Sequence, residues 1–213
     1  MATKLILIRH GITQWNKQGR YCGYKDVSLS RHGKEQVIKL RKSLRLGNHG
    51  LPSDRQNHKN ITFDRIYCSD RKRALQTKAI LFGNSDFIKL KGLREINFGV
   101  FEGLRHDEIM AKYPKVYKEW LSSPYKGRIP HAESMQVFKK RVGGAMKKIH
   151  CFNRGKTIAI VCHGGVIGIF ISSILKSRNF WGYVPSPASI TIVEYKNNKY
   201  KIAKFNNKTF MRD

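Results

Sequence analysis

The chain has 213 residues, long enough for one sizeable core and short for two domains. Forty-two Lys and Arg residues stand against fourteen Asp and Glu, a formal net charge of +28. No apolar run reaches the roughly 20 residues of a membrane span, and no internal repeat or low-complexity stretch occurs, which sets aside membrane-spanning and repeat architectures.

The charge predicts a field that draws in phosphorylated small molecules and gives a background affinity for polyanions. The basic residues are spread along the chain and do not interleave with aromatics as in a base-stacking platform, so nucleic acid stays open only as a lesser target. Cys22, Cys68, Cys151 and Cys162 form no Cys-x-x-Cys pair and no zinc-like spacing with histidine. They read as free thiols in a reducing compartment. Met1 to Lys4 lead straight into the first apolar run, which leaves no room for a signal peptide, and the expected location is cytoplasmic.

Leu5 to Ile8 is an unbroken apolar run and reads as a strand buried on both faces. It ends in Arg9-His10-Gly11, which puts a cation and an imidazole at the carboxyl edge of a sheet, where ligands of open α/β sheets bind. The segment from Gly11 to Leu29 is irregular and rich in hydrogen-bonding side chains. Thr13, Asn16, Arg20 and backbone amides there, in a stretch that includes Gly23, are candidate phosphate contacts. Ser30 reads as the N-cap of a helix through Val37, Leu40 and Leu44 that Gly47 ends. Asn48 to Asn60 reads as an exposed connector with His49 and His58 inert.

Phe63 to Cys68 is the second predicted strand, and Ser69-Asp70 is expected to open a helix from Arg71 to Leu81. A helix start after a strand is an anion site, and Arg73 in its first turn adds a two-pronged donor. Phe87 to Leu90 reads as a strand. The following loop carries Glu95 and Glu102 among glycines, two acids in an acid-poor chain. One near a leaving oxygen can donate a proton if its surroundings raise its pKa. Short helices are expected over 107–113 and 116–121, interrupted by Pro114, then a loop over the site to His131. A helix opened by Glu133-Ser134 runs to Ile149. Ile158 to Val161 is again an apolar run, and it ends in Cys162-His163-Gly164-Gly165, with a helix from Val166 to Leu175. Residues 189–195 and 200–205 alternate as a closing hairpin. Two buried strands that both end in His-Gly can set two imidazoles across one site.

Taken together, Leu7-Ile8-Arg9-His10-Gly11, Ser69-Asp70-Arg71-Lys72-Arg73, Leu93-Arg94-Glu95, Ala132-Glu133-Ser134 and Val161-Cys162-His163-Gly164-Gly165 resemble, in order, the motifs of the histidine phosphatase superfamily. The resemblance covers nearly the whole chain. It implies an α/β fold, a three-layer α/β/α sandwich with a mostly parallel central sheet of the phosphoglycerate mutase type, built as one domain over 1–213. It implies that His10 is the nucleophile, that Arg9, Arg73 and His163 hold the transferring phosphoryl group, and that Glu95 protonates the leaving alcohol. Thr13, Asn16 and the Gly164 amide would complete the phosphate pocket, with no metal and no cofactor. Ile12, Phe101 and His131-Ala132 depart from the usual pattern outside that set.

The compact stretch from Glu95 to His163 and the Phe101-Glu102-Gly103 step look like the phosphatase branch. Within it, alpha-ribazole phosphatase is the most similar in size and motifs. The expected substrate is a small phosphorylated metabolite such as alpha-ribazole phosphate, which would place the chain in cobalamin biosynthesis, or a sugar phosphate. A phosphoglycerate mutase is the alternative, and a polyanion-binding protein with a vestigial site is the third reading. A homodimer stays open as the assembly.

Overall fold

The computed structural model describes residues 2–44 and 62–208. Six strands form one sheet: β1 (Thr3–Arg9), β2 (Arg65–Cys68), β3 (Ile88–Lys89), β4 (Thr157–Cys162), β5 (Ile190–Lys196) and β6 (Lys199–Asn207), in the order β3-β2-β4-β1-β5-β6. β1 to β4 run parallel, and β5 and β6 add an antiparallel edge. The helices are α1 (Gln14–Lys17), α2 (Arg31–Ser43), α3 (Lys72–Phe82), α4 (His106–Lys112), α5 (Pro114–Ser122), α6 (Met135–Phe152) and α7 (Gly164–Ile174).

The three layers follow from the period of two in a strand. Leu5 and Leu7 of β1 face one side and pack with Phe138 and Met146 of α6 and Val166 of α7. Ile6 and Ile8 face the other side and pack with Val37 and Leu40 of α2 and Leu81 of α3. Each such buried side chain contributes about 1.5–3 kcal/mol. The expected three-layer α/β sandwich is the fold observed. α7 is apolar all round, and Gly164 to Ser172 are all buried, because the helix is enclosed by the sheet and its neighbours.

The local signals behave as their chemistry demands. Ser30 and Ser134 cap α2 and α6, their hydroxyls accepting from the amides of Gly33 and Val137. Asn197 and Asn198, at φ 51° and 59°, make the two-residue turn between β5 and β6. Pro114 does more than interrupt a helix: it is the first residue of α5, where its missing N–H is harmless.

Other expectations need correcting. Thr13 and Asn16 do not lie in irregular chain; they cap α1 reciprocally, an arrangement that four residues of helix are too short to announce. Ser69 and Asp70 do not cap α3. Its N-cap is Arg71, and its first amide, from Lys72, is taken by the Asp26 carboxylate at 2.6 Å, so Asp26 occupies the anion position there. The strand at 87–90 shrinks to two exposed residues at the sheet edge. The loop expected before His131 is without helix or strand from Ser123 on, and its Pro130 carbonyl accepts from the Val100 amide at 3.1 Å. α2 ends at Ser43 with Leu44 as its C-cap, earlier than the expected end at Gly47, because the Leu44 amide closes the last turn on the Leu40 carbonyl; the connector with His49 and His58 lies outside the described residues.

Candidate active site

The pairing of β1 with β4 sets up the site. Arg9 stands opposite Cys162 in the parallel register, so the next residue on each strand is a histidine. The rings of His10 and His163 meet edge to face with centroids 5.1 Å apart. The backbone there is pinned from both sides. The His10 amide donates to the Cys162 carbonyl at 3.1 Å, and the His10 carbonyl accepts from Ala188 at 3.0 Å.

The partners of His10 fix its tautomer. Its Nδ1 lies 2.7 Å from the Gly11 carbonyl, which only accepts, so Nδ1 carries the proton. Its Nε2 accepts from Arg73 Nε at 3.2 Å, so the lone pair lies on Nε2. Burial, then the Arg73 and Arg9 charges, push the His10 pKa well below its ordinary value. The result is a neutral imidazole with its nucleophilic nitrogen aimed into a cationic cluster. Gly11 is required here, since a Cβ would stand 2.4 Å from the Gly33 carbonyl oxygen.

Arg73 is fully buried, and its guanidinium is held by the Lys25 and Gly23 carbonyls at 3.1 and 2.7 Å. Arg9 donates to the Pro185 carbonyl, and its side chain lies against Gly164, where a Cβ would come within 2.9 Å of Arg9 Cζ. Burial foremost pulls the Arg9 pKa down, while Glu95 opposes it. His163 Nε2 is 2.8 Å from the Ser69 hydroxyl, and burial followed by Arg73 keeps this ring neutral too. Arg9 Nε and His163 Nδ1 are buried without a hydrogen-bond partner.

The two glutamates of the 92–104 loop part company. Glu95 is buried beside the cluster, accepting from the amides of Gly165 at 2.9 Å and Ile96 at 3.0 Å. Burial raises its pKa against the pull of those amides and of Arg73 and Arg9. Glu102 instead anchors a loop: its carboxylate accepts from the amides of Gly23, Tyr24, Lys25 and Phe98. It thereby shapes the segment whose carbonyls grip Arg73.

Not every candidate joins the cluster. Arg20 is turned to the Gly103 carbonyl at 2.6 Å and to Glu108 at 3.0 Å, because that carboxylate is the nearer anion; it is not brought to the histidines. The Gly23 amide is likewise taken by Glu102, and Gly23 contributes its carbonyl to Arg73 in place of a phosphate contact. Thr13 and Asn16 commit their acceptor oxygens to the α1 cap and keep their donor hydrogens.

Two supporting residues, Ser69 and Arg141, had no site role readable from the sequence. Ser69 meets His163. Arg141 of α6 makes a forked pair with Glu133 at 2.8 and 2.7 Å and donates to the carbonyls of Gly92, Arg94 and Glu95 at 3.1, 2.9 and 3.3 Å. It clasps the chain that presents Glu95. Among the described residues no group of three His, Cys, Asp or Glu side chains converges to hold a metal ion.

The sequence matches the model of the histidine phosphatase superfamily (branch 1) over residues 5–208. It is 28% identical over 207 residues to phosphoserine phosphatase 1 of Hydrogenobacter thermophilus, covering 95% of this chain and 92% of that one. It is 30% identical over 174 residues to an Escherichia coli relative named "Probable phosphoglycerate mutase GpmB", covering 81% of this chain and 74% of that one. The alpha-ribazole phosphatase of Shigella flexneri superposes with a TM-score of 0.82 over 96% of both chains at 23% identity, which bears on the fold alone. The chain belongs to the histidine phosphatase superfamily, branch 1.

Proposed function

We propose that the chain hydrolyses a small phosphomonoester through a phosphohistidine on His10 Nε2. The observation that carries this reading is the tautomer: a neutral ring, its proton fixed on Nδ1, with the Nε2 lone pair on the buried Arg73 guanidinium and the charge of part-buried Arg9 close by. Phosphoryl transfer asks chiefly for in-line placement and for neutralisation of the equatorial oxygens. Arg9, Arg73 and His163 supply the donors, and a phosphoryl oxygen would satisfy the lone Arg9 Nε and His163 Nδ1.

In the first step Nε2 attacks phosphorus, the ester P–O bond breaks, and the leaving oxygen takes the proton of neutral Glu95. In the second, water attacks the phosphohistidine, the P–N bond breaks, Glu95 takes the water proton, and inorganic phosphate leaves. The raised pKa of Glu95 suits both halves, and the positive surface steers an anionic substrate inward.

Phosphoserine, alpha-ribazole phosphate and sugar phosphates are the substrates of choice, the first because of the Hydrogenobacter thermophilus relative. The Escherichia coli relative keeps the mutase reading in view. The four free thiols suit a reducing, cytoplasmic setting.

The test is phosphate release across phosphoserine, alpha-ribazole phosphate, sugar phosphates and phosphoglycerates. His10→Ala is expected to abolish turnover. Glu95→Gln is expected to slow alkyl phosphates by about 10²–10⁴-fold and p-nitrophenyl phosphate far less, since a good leaving group needs no proton. Equal loss on both removes Glu95 from the acid role. Isomerised phosphoglycerate without free phosphate turns the reading to mutase.

A further inference from the structure

Away from the histidines, α6, α7 and the β5–β6 hairpin enclose a pocket of about 390 Å³. None of Arg9, His10, Arg73, Glu95 and His163 lines it, and its nearest residue on α7, Ile169, lies five residues along the helix from Gly164, about 7.5 Å at 1.5 Å per residue. The pocket is therefore separate from the catalytic cluster.

Its floor is apolar, formed by Val142 of α6 and Ile169, Phe170 and Ile174 of α7. Its wall is aromatic. Tyr195 lies against His150 with ring centroids 3.9 Å apart and planes tilted by 47°, and the Tyr200 hydroxyl meets His150 Nδ1 at 3.1 Å. Burial, then the Arg154 and Lys147 charges, lower the His150 pKa, so this wall is uncharged at neutral pH. The rim is cationic, with Lys139 and Lys147 exposed on α6 and no Asp or Glu among the lining residues.

The row along α6 is informative. Gly143 stands four residues from each lysine, so positions 139, 143 and 147 stack on one face. Glycine weakens a helix interior relative to alanine. Packing does not demand it here, because a Cβ at 143 meets no atom within 4 Å. What the missing side chain does is leave the space between two ammonium groups open above the apolar floor.

We propose that this pocket binds a small anion with a flat apolar body, of the aromatic carboxylate or sulfonate class. Phe170 and Tyr200 close one end, edge to face with centroids 5.3 Å apart, so the ring lies over Val142, Ile169 and Ile174 beside Tyr195, and the anionic group sits over Gly143 between Lys139 and Lys147. Aromatic faces and aliphatic side chains favour a planar body, and the lysine pair selects the charge. This site is independent of the hydrolytic reading above.

Anilinonaphthalene sulfonate titrated into the full folded chain, read by fluorescence, is the probe. Gly143→Leu projects a side chain into the gap and is expected to weaken binding at least about tenfold. Gly144→Leu is the control, since residue 144 does not line the pocket and a Cβ there also meets open space. It is expected to leave the affinity unchanged. Both replacements favour the helix, so both variants fold, which near-UV circular dichroism checks. A Lys139→Gln, Lys147→Gln double variant is expected to weaken binding by about tenfold, as two exposed ion pairs allow. Unaltered affinity in Gly143→Leu, equal loss in Gly144→Leu, indifference to the lysine pair, or displacement of the probe by orthovanadate at the histidine site would each overturn the proposal.

Discussion

Replacing Arg141 by Met tests whether the acid is held in place from behind. The Arg141 side chain is 20% exposed and its partner Glu133 only 10%, so the pair is largely withdrawn from water. Breaking a fully buried pair by removing one partner costs about 3–5 kcal/mol, and the residual exposure reduces this to about 2–3 kcal/mol. A double-mutant cycle with Glu133→Gln should return a coupling energy of about 1.5–3 kcal/mol in urea unfolding. The catalytic effect is separable from the stability effect. Arg141 binds the carbonyls of Gly92, Arg94 and Glu95, so its loss slackens the chain that sets the Glu95 carboxylate. A displacement near 1 Å costs about 10²-fold in rate. That loss should fall on phosphoserine, whose alkoxide needs the proton, and spare p-nitrophenyl phosphate. Arg141→Lys keeps the charge without the fork and should fall between the two. Rates lost equally on both substrates, or unchanged on phosphoserine in a variant that has lost stability, would refute the positioning role.

Gly165→Ala attacks the same carboxylate from the other side. Its Cβ would stand 2.2 Å from Glu95 Oε1, so the carboxylate must move, and phosphoserine turnover should drop by at least about tenfold. Stability should also respond to pH through the two buried histidines. Both have folded pKa values below the ordinary 6.5, so their contribution is present above about pH 6.5 and is lost as the pH falls towards the folded values. Each proton adds a slope of up to about 1.4 kcal/mol per pH unit, measurable as the urea midpoint between pH 7.5 and 5.5. His163→Asn should halve that slope, and a flat profile down to the carboxylate range would contradict it. Turnover should be unchanged by a chelator, because the donors argued for phosphoryl binding are guanidiniums and imidazoles; a rate lost to chelation and restored by a divalent ion would count against the mechanism.

The sequence made the strands and the histidines legible for a physical reason. An apolar run that stops at Arg-His-Gly reports both burial and its limit, and both are local properties. Ser30 and Ser134 were legible because a cap acts within three residues. The rest of the site depends on partners far apart in the chain. Ser69 meets a ring 94 residues away, Arg141 reaches back 46 residues to the Glu95 carbonyl, and Glu102 gathers amides 79 residues earlier. No spacing rule carries that information. Arg20 shows the converse. A cation in a loop near a site reads as an anion contact, but Glu108, 88 residues on, takes it. The same limit applied to the two glutamates: local pattern did not separate them, only the family resemblance singled out Glu95, and the fold buries it beside the histidines and turns Glu102 to a loop.

The proposed nucleophile, His10, is tied to two distant parts of the chain. β1 pairs with β4, which lies some 150 residues later, and the His10 carbonyl is tied to Ala188 further still. Contacts of such separation are among the slower to form in a folding chain, because loop closure must precede any reward from pairing. Recovery of hydrolysis after dilution from denaturant should therefore lag behind recovery of helical circular dichroism. A polypeptide that stops short of Ala188 contains His10, Arg73, Glu95 and His163 and still lacks the amide that ties down the His10 carbonyl.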